Sequence, residues 1–402
     1  MLFSSIVFLF YFFPAVFLLY YLLSFSRLLQ NLLLLMASLF FYAWGEPVYV
    51  LIMISSIIFN SLFGYIVGKV RNTGFKRFFL VLDIGANVLC LFVFKYLGFF
   101  IETIEKTGNI TLPKWDISLP IGISFFTFQG MSYTIDVYRK DVAVQKNPLK
   151  VALYITLFPQ LIAGPIVRYT DIVSEIDVRR ENIDDFSNGI QRFIIGLGKK
   201  AIIANTMAAC ADGIWDAGIE HNTWIISWIG SIAYTLQIYY DFSGYSDMAI
   251  GLGKMFGFHF NENFNLPYIS KSISEFWRRW HISLSSWFRD YVYIPLGGNR
   301  KHVYLNLIVV FFLTGIWHGA SWHFVIWGGW NGVFILIERW LKRKKLSTEK
   351  DGKKKTVIAF LSAIYTLLVV NIGWVLFRAP DTKQAVRFVA NMFGIIKPER
   401  VD

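Results

Sequence analysis

Charge is scarce in this chain. Of its 402 residues, 16% are charged and 55% are hydrophobic, where a soluble globular protein carries about 25% charged residues. A soluble domain is therefore excluded as the main body. Cysteine is nearly absent. Cys90 and Cys210 both lie in apolar surroundings, which excludes a disulfide framework and a cysteine metal site. No fixed-period repeat occurs, and glycine and proline punctuate apolar runs without forming linkers. The N-terminal stretch "MLFSSIVFLFYFFPAVFLLYYLL" has no charged n-region and no small-residue cleavage site. It reads as a retained first helix, not a signal peptide.

What is there is a series of apolar segments. They run over about 3–23, 28–44, 47–68, 78–101, 118–137, 150–167, 189–210, 223–245, 303–317, 321–341 and 356–377. Many have the ~20 residues needed to cross a hydrocarbon core. The expected fold class is an all-α polytopic membrane protein with about 9–11 transmembrane or re-entrant helices around a central tunnel, in one integral membrane domain over 1–402. Two segments are awkward. Segment 150–167 carries Pro159 and Pro165, and 189–210 carries Arg192, Lys199 and Lys200. Both are expected to be re-entrant or interfacial.

Net charge is +12. The basic residues sit in short loops between apolar runs, so they read as topology signals and not as a nucleic-acid surface. The stretch "KRKKLSTEKDGKKK" (342–355) alone has a net of +6, suited to a cytoplasmic loop facing anionic lipid. Together with Arg27, the Lys69–Arg77 cluster and Arg139–Lys146, it places the N-terminus outside.

Residues 261–300, "NENFNLPYISKSISEFWRRWHISLSSWFRDYVYIPLGGNR", break the pattern. They are too polar for lipid and too apolar for a free loop. Ser274 is expected to cap an amphipathic helix that "PLGGNR" ends. The stretch suits either a protein-buried re-entrant hairpin or an interfacial anchor with a tryptophan belt. Arg278, Arg279 and Arg289 are candidates for phosphate oxygens, because guanidinium pairs with phosphate as a fork.

A second anomaly is "TGIWHGASWHF" (314–324), which puts His318 and His323 inside an apolar run. A buried imidazole stays neutral near pH 7 and accepts a proton, as a general base for a hydroxyl must. A satisfied structural histidine is the plainer alternative, and it is the reading preferred for His323. Five-residue spacing without nearby Asp, Glu or Cys argues against a metal pair. "GLGKK" and "GLGKMFG" lack the strand context of nucleotide loops. Asp241 and Asp247 in "DFSGYSD" are expected to serve ion pairs or caps.

The stretch 263–300 followed by "TGIWHGASWHFVIWGGWNGVFILIER" closely resembles the membrane-bound O-acyltransferase superfamily, and within it the alginate O-acetyltransferase branch. "LLLLMASLFFYAWGEP", "PIGISFFTFQGMSYTIDVYR", "FPQLIAGPIVRY" and "QIYYDFSGYSDMAIGLGKMFGF" fit the same branch. The resemblance covers nearly the whole chain. It implies an enzyme of the bacterial plasma membrane that moves an acetyl group from cytoplasmic acetyl-CoA to an exported polysaccharide such as alginate, with a secreted or membrane-anchored partner resembling SGNH hydrolases. It implies that His318 is the catalytic histidine and His281 the second characteristic one, orienting the acceptor or stabilising the oxyanion. No permanently bound cofactor, metal or nucleic acid is implied. The chain ends at "NMFGIIKPERVD", sooner than is usual in the family, and is expected to be a shortened form. Within the enzyme class the alternatives are peptidoglycan, cellulose or teichoic acid D-alanylation. Outside it stand a transporter or a scaffold.

Overall fold

The computed structural model describes residues 1–108, 110–113, 117–344 and 352–396. The side chains of the basic 342–355 stretch and the residues after 396 lie outside it. The described residues are 77% helical with no strand, as the all-α reading requires. Among the described residues, four helices are long and apolar enough to cross a membrane: Val50–Lys69, Thr73–Gly108, Ile183–Asp216 and Thr356–Arg378. Phe8–Leu22, Arg27–Ala43 and Val303–His318 are shorter apolar helices.

The chain divides into two compact units, one of residues 1–197 with 245–261 and one of 198–244 with the residues from 262 onwards. In the first unit, Asn72 opens the Thr73 helix by accepting from the amides of Gly74 and Phe75. Asn147 does the same for the Pro148–Thr156 helix, with Pro148 in the first turn where its missing N–H costs nothing. Val50–Lys69 lies against Ile123–Arg139 through small residues. A Cβ on Gly130 would meet the Asn60 carboxamide carbon at 2.5 Å. Asn60 and Asn87 exchange amide hydrogen bonds of 3.3 and 3.0 Å between helices, the polar glue expected where apolar burial gives no drive.

The two ends of this unit differ. At one, Ile121 N–H faces the Glu46 carboxylate at 3.4 Å. At the other, Arg27 pairs with Glu181 at 2.5 Å, and buried Arg179 donates to the Tyr20 hydroxyl at 2.8 Å and to Asn31 at 2.7 Å. His259 closes the basic end, with Nδ1 2.7 Å from Glu175 and Nε2 3.3 Å from Asp185.

Three expectations need correction. The 150–167 segment is not one element. It forms Pro148–Thr156 and Phe158–Leu161, because Pro159 restricts Phe158 and starts a new helix. The 189–210 segment, expected to be re-entrant or interfacial, belongs to a helix long and apolar enough to cross a membrane. It lies inside a continuous 34-residue helix, Ile183–Asp216. Its charges are paired: Arg192 holds Asp247 at 2.9 Å and Lys200 holds Asp241. Asp241 and Asp247 are thus the ion-pair partners expected of them. Ser274 is not a cap. Ser272 is, accepting from Glu275 N–H at 3.0 Å, while Ser274 is held by Glu338.

In the second unit the 261–300 stretch folds into two seven-residue helices, Ile273–Arg279 and Ile282–Phe288. Trp277, Trp280 and Trp287 are all buried. The interfacial tryptophan belt is therefore replaced by an inward-packed aromatic layer. Buried Glu338 receives the Ile273 and Ser274 amides at 2.6 and 3.1 Å and the Ser274 hydroxyl at 3.0 Å. One carboxylate thus satisfies donors that a helix start leaves open.

Candidate active site

The run carrying both histidines is two helices, Val303–His318 and Trp322–Lys344. A three-residue turn joins them, so they lie antiparallel. Gly315 and Gly328 face each other across the crossing. A Cβ on Gly315 would come within 2.5 Å of the Phe324 carbonyl oxygen. Glycine there lets the backbones touch, and the helix ends where Gly319 turns to extended backbone.

His318 is its last helical residue. Its ring is half-buried and meets three aromatic rings nearly edge to face: Trp317 at 4.8 Å, Trp327 at 5.0 Å and Phe377 at 5.2 Å. His323 is separate. It is buried, shares a 2.8 Å hydrogen bond with Ser321 and packs on Phe324. That is the structural role preferred for it.

His281 sits between the two short helices, with φ 44° and ψ 54°. This left-handed conformation is uncommon outside glycine. It turns the ring inward, where it is 1% exposed. The ring meets Phe242 at 4.6 Å and Trp317 at 6.0 Å. Trp317 therefore touches both histidines. Nδ1 of His281 is 3.1 Å from Asn263 Oδ1. Burial depresses its basicity well below the usual imidazole range, so the ring is neutral.

A cavity of about 560 Å³ lies in the same unit, lined by neither histidine. Arg278, Arg289 and Arg339 stand around it, and Trp277, Leu307, Phe311 and Thr314 form apolar wall. Leu307 to Thr314 spans about 10 Å of helix, and His318 lies about 6 Å further, one turn beyond Thr314 on the same face. Trp277 is 5.7 Å from Trp327, whose ring meets His318. Two rings in series, Trp277 and Trp327, thus separate the cavity from the imidazole.

The three sequence-chosen arginines behave differently. Arg278 is exposed at the cavity. Arg289 is exposed but forked onto Asp290 at 2.6 and 2.9 Å. Arg279 does not border this cavity. It is held by Glu275 at 3.0 Å and by the Asn265 carbonyl at 3.2 Å. Arg339 and Asn263 were not singled out from the sequence. Nothing local marks them: Arg339 adjoins the basic 342–355 stretch, and Asn263 lies at the polar start of 261–300. The pairing of Glu338 with a helix start 64 or 65 residues away has no local signal.

Residues 73–372 match the model of the membrane-bound O-acyltransferase family, MBOAT. This chain belongs to that family. It is 45% identical to the probable alginate O-acetylase AlgI of Pseudomonas aeruginosa, over 98% of this chain and 75% of the relative. It is 36% identical to a peptidoglycan O-acetyltransferase of Helicobacter pylori, over 98% of this chain and 80% of that one. A teichoic acid D-alanyltransferase of Bacillus subtilis is 33% identical over 56% of this chain and 61% of its own length. The chain is therefore an O-acyltransferase and a multi-pass membrane protein. The transporter and scaffold alternatives fall with that assignment.

Proposed function

We propose that this enzyme takes an acetyl group from acetyl-CoA at the cytoplasmic face and passes it to a hydroxyl of an exported polysaccharide, alginate or a related polymer, on the far side. The observation that carries the reading is the polarity of the Val303–Lys344 hairpin. Arg339 and the Asn299–Leu307 start of the cavity lie towards one end, and His318 lies at the other. The Arg300–Lys301 pair and the 342–355 stretch make the first end basic, as cytoplasmic ends are. The same rule assigns the Arg27–Arg179 end of the first unit to the cytoplasm, puts the N-terminus outside and suits a bacterial plasma membrane.

Arg278 and Arg339, with Arg289 if it releases Asp290, meet the donor's phosphates. The thioester arm lies along Leu307–Thr314, and the Trp277 and Trp327 rings turn aside on binding to let its carbonyl reach His318. His318 removes the proton from the acceptor hydroxyl as its oxygen attacks the thioester carbonyl. The C–S bond then breaks, and the proton passes to the departing thiolate. General-base help of this kind is worth roughly 10²–10⁴-fold. His281 acts on the acceptor side. The final acceptor is the polymer itself or a hydroxyl of a secreted, hydrolase-like partner. The relatives that act on peptidoglycan and teichoic acid make those polymers the second reading.

The test uses sealed membrane vesicles with the cytoplasmic face outward and acetyl-CoA labelled in the acetyl group. Label should enter the polymer in the lumen with release of free thiol outside, and His318→Ala should abolish both. Thiol release unchanged in His318→Ala overturns the reading.

A further inference from the structure

Three donors converge on one oxygen beside His281. Asn263 Oδ1 lies 2.8 Å from Ser283 Oγ, 3.3 Å from Ser283 N and 3.1 Å from His281 Nδ1. A backbone N–H can only donate. The Asn263 atom that faces it is therefore the carbonyl oxygen and not the amide nitrogen. An oxygen acceptor at 3.1 Å from an imidazole nitrogen requires the proton to be on that nitrogen. In a neutral ring Nε2 then carries the lone pair. Nε2 is fully buried with no hydrogen-bond partner among the described residues, an arrangement that native structures rarely leave without a purpose. Asn263 is itself 0% exposed, and its carbonyl takes the Ile282 amide at 3.0 Å. Side chain and backbone thus grip the strained His281 turn from both sides.

We propose that Asn263 is a positioning residue that locks His281 as the Nδ1–H tautomer, so that Nε2 accepts a hydrogen bond from a hydroxyl of the acceptor sugar next to the one whose proton His318 takes. This rests on the acyl-transfer reading. It decides between two roles. A bare Nε2 cannot donate to an oxyanion, so His281 orients the acceptor by accepting from that neighbouring hydroxyl, with Trp317 as the shared wall between it and His318.

The tautomer is read directly by nitrogen NMR of the full chain in nanodiscs, labelled with 15N-histidine, with His281→Gln identifying the signal among the six histidines. Nδ1 protonated and Nε2 bare is the expected result. A protonated Nε2 overturns the proposal. Activity is then measured against pH for Asn263→Asp, which keeps the shape and the Ser283 contacts but places a carboxylate on Nδ1. A carboxylate favours the imidazolium by 1–3 pH units. The acid limb of the profile should move upward by about 1–3 units, so that on acidification the variant loses activity at a higher pH than wild type. Asn263→Asp with an unmoved profile means the residue is only structural and overturns the proposal. A correct tautomer in a wild-type protein that transfers no acyl group instead defeats the function reading, and with it the role given to Nε2, while the lock itself stands.

Discussion

At the residue scale, the site combines one half-buried imidazole and one sealed one, both against Trp317. His318→Ala should lower acyl transfer by about 10²–10⁴-fold, with the protein still inserted and folded. His323→Ala should leave the chemistry intact and cost stability through lost packing, measured as a lower thermal midpoint. Arg339 is the residue the sequence hid. Removing a charged partner from a phosphate costs ~1.5–3 kcal/mol. Arg339→Ala should therefore raise KM for the acyl donor about 10- to 100-fold with little change in kcat. Arg279→Ala should not, because Arg279 faces Glu275 and not the cavity. Equal effects from the two would show that the donor does not use this cavity.

At the element scale, the site is held by two devices. One is the glycine crossing of the hairpin whose first helix ends at His318. Gly315→Val should force the hairpin apart and cost about 1–3 kcal/mol, with activity falling further than stability because His318 moves. The other is Glu338. Its removal strips two amides and a hydroxyl of their acceptor, at about 1–3 kcal/mol per buried group left unsatisfied. Helix existence was legible in the sequence because apolar runs of membrane length have no other stable form. Helix breaks were not. The short Gly319–Ser321 turn is as small and apolar as the helices around it. The 261–300 stretch hid its burial because its tryptophans and arginines fit an interface as well as an interior. Ser274 was misjudged as a cap because the competing acceptor, Glu338, comes from a distant helix.

At the scale of the molecule, the basic end of the first unit is pH-sensitive. Burial alone would lower the His259 pKa, but Glu175 and Asp185 on its two nitrogens outweigh that and raise it. The clasp is fully present below the unfolded value of about 6.5 and is lost as pH rises through the raised folded value. Because His259 is half exposed, the contribution is small, under about 1 kcal/mol. Thermal stability should fall slightly from about pH 6 to pH 8, and His259→Gln should flatten that slope. A slope unchanged by the substitution would remove His259 as its source. The histidine motifs made the reaction class legible in the sequence. The grouping of Arg278, Arg289 and Arg339 around one cavity was not, because it depends on three elements meeting in space.

The most direct measurement of the central claim is the acetyl-ester content of the cell-surface polymer. A strain lacking this gene would carry either wild type or His318→Ala at matched membrane levels. Acetyl ester restored by wild type and absent with His318→Ala is the predicted result. Equal restoration by both would contradict the assignment of His318 as the base and move that role to another group in the same pocket.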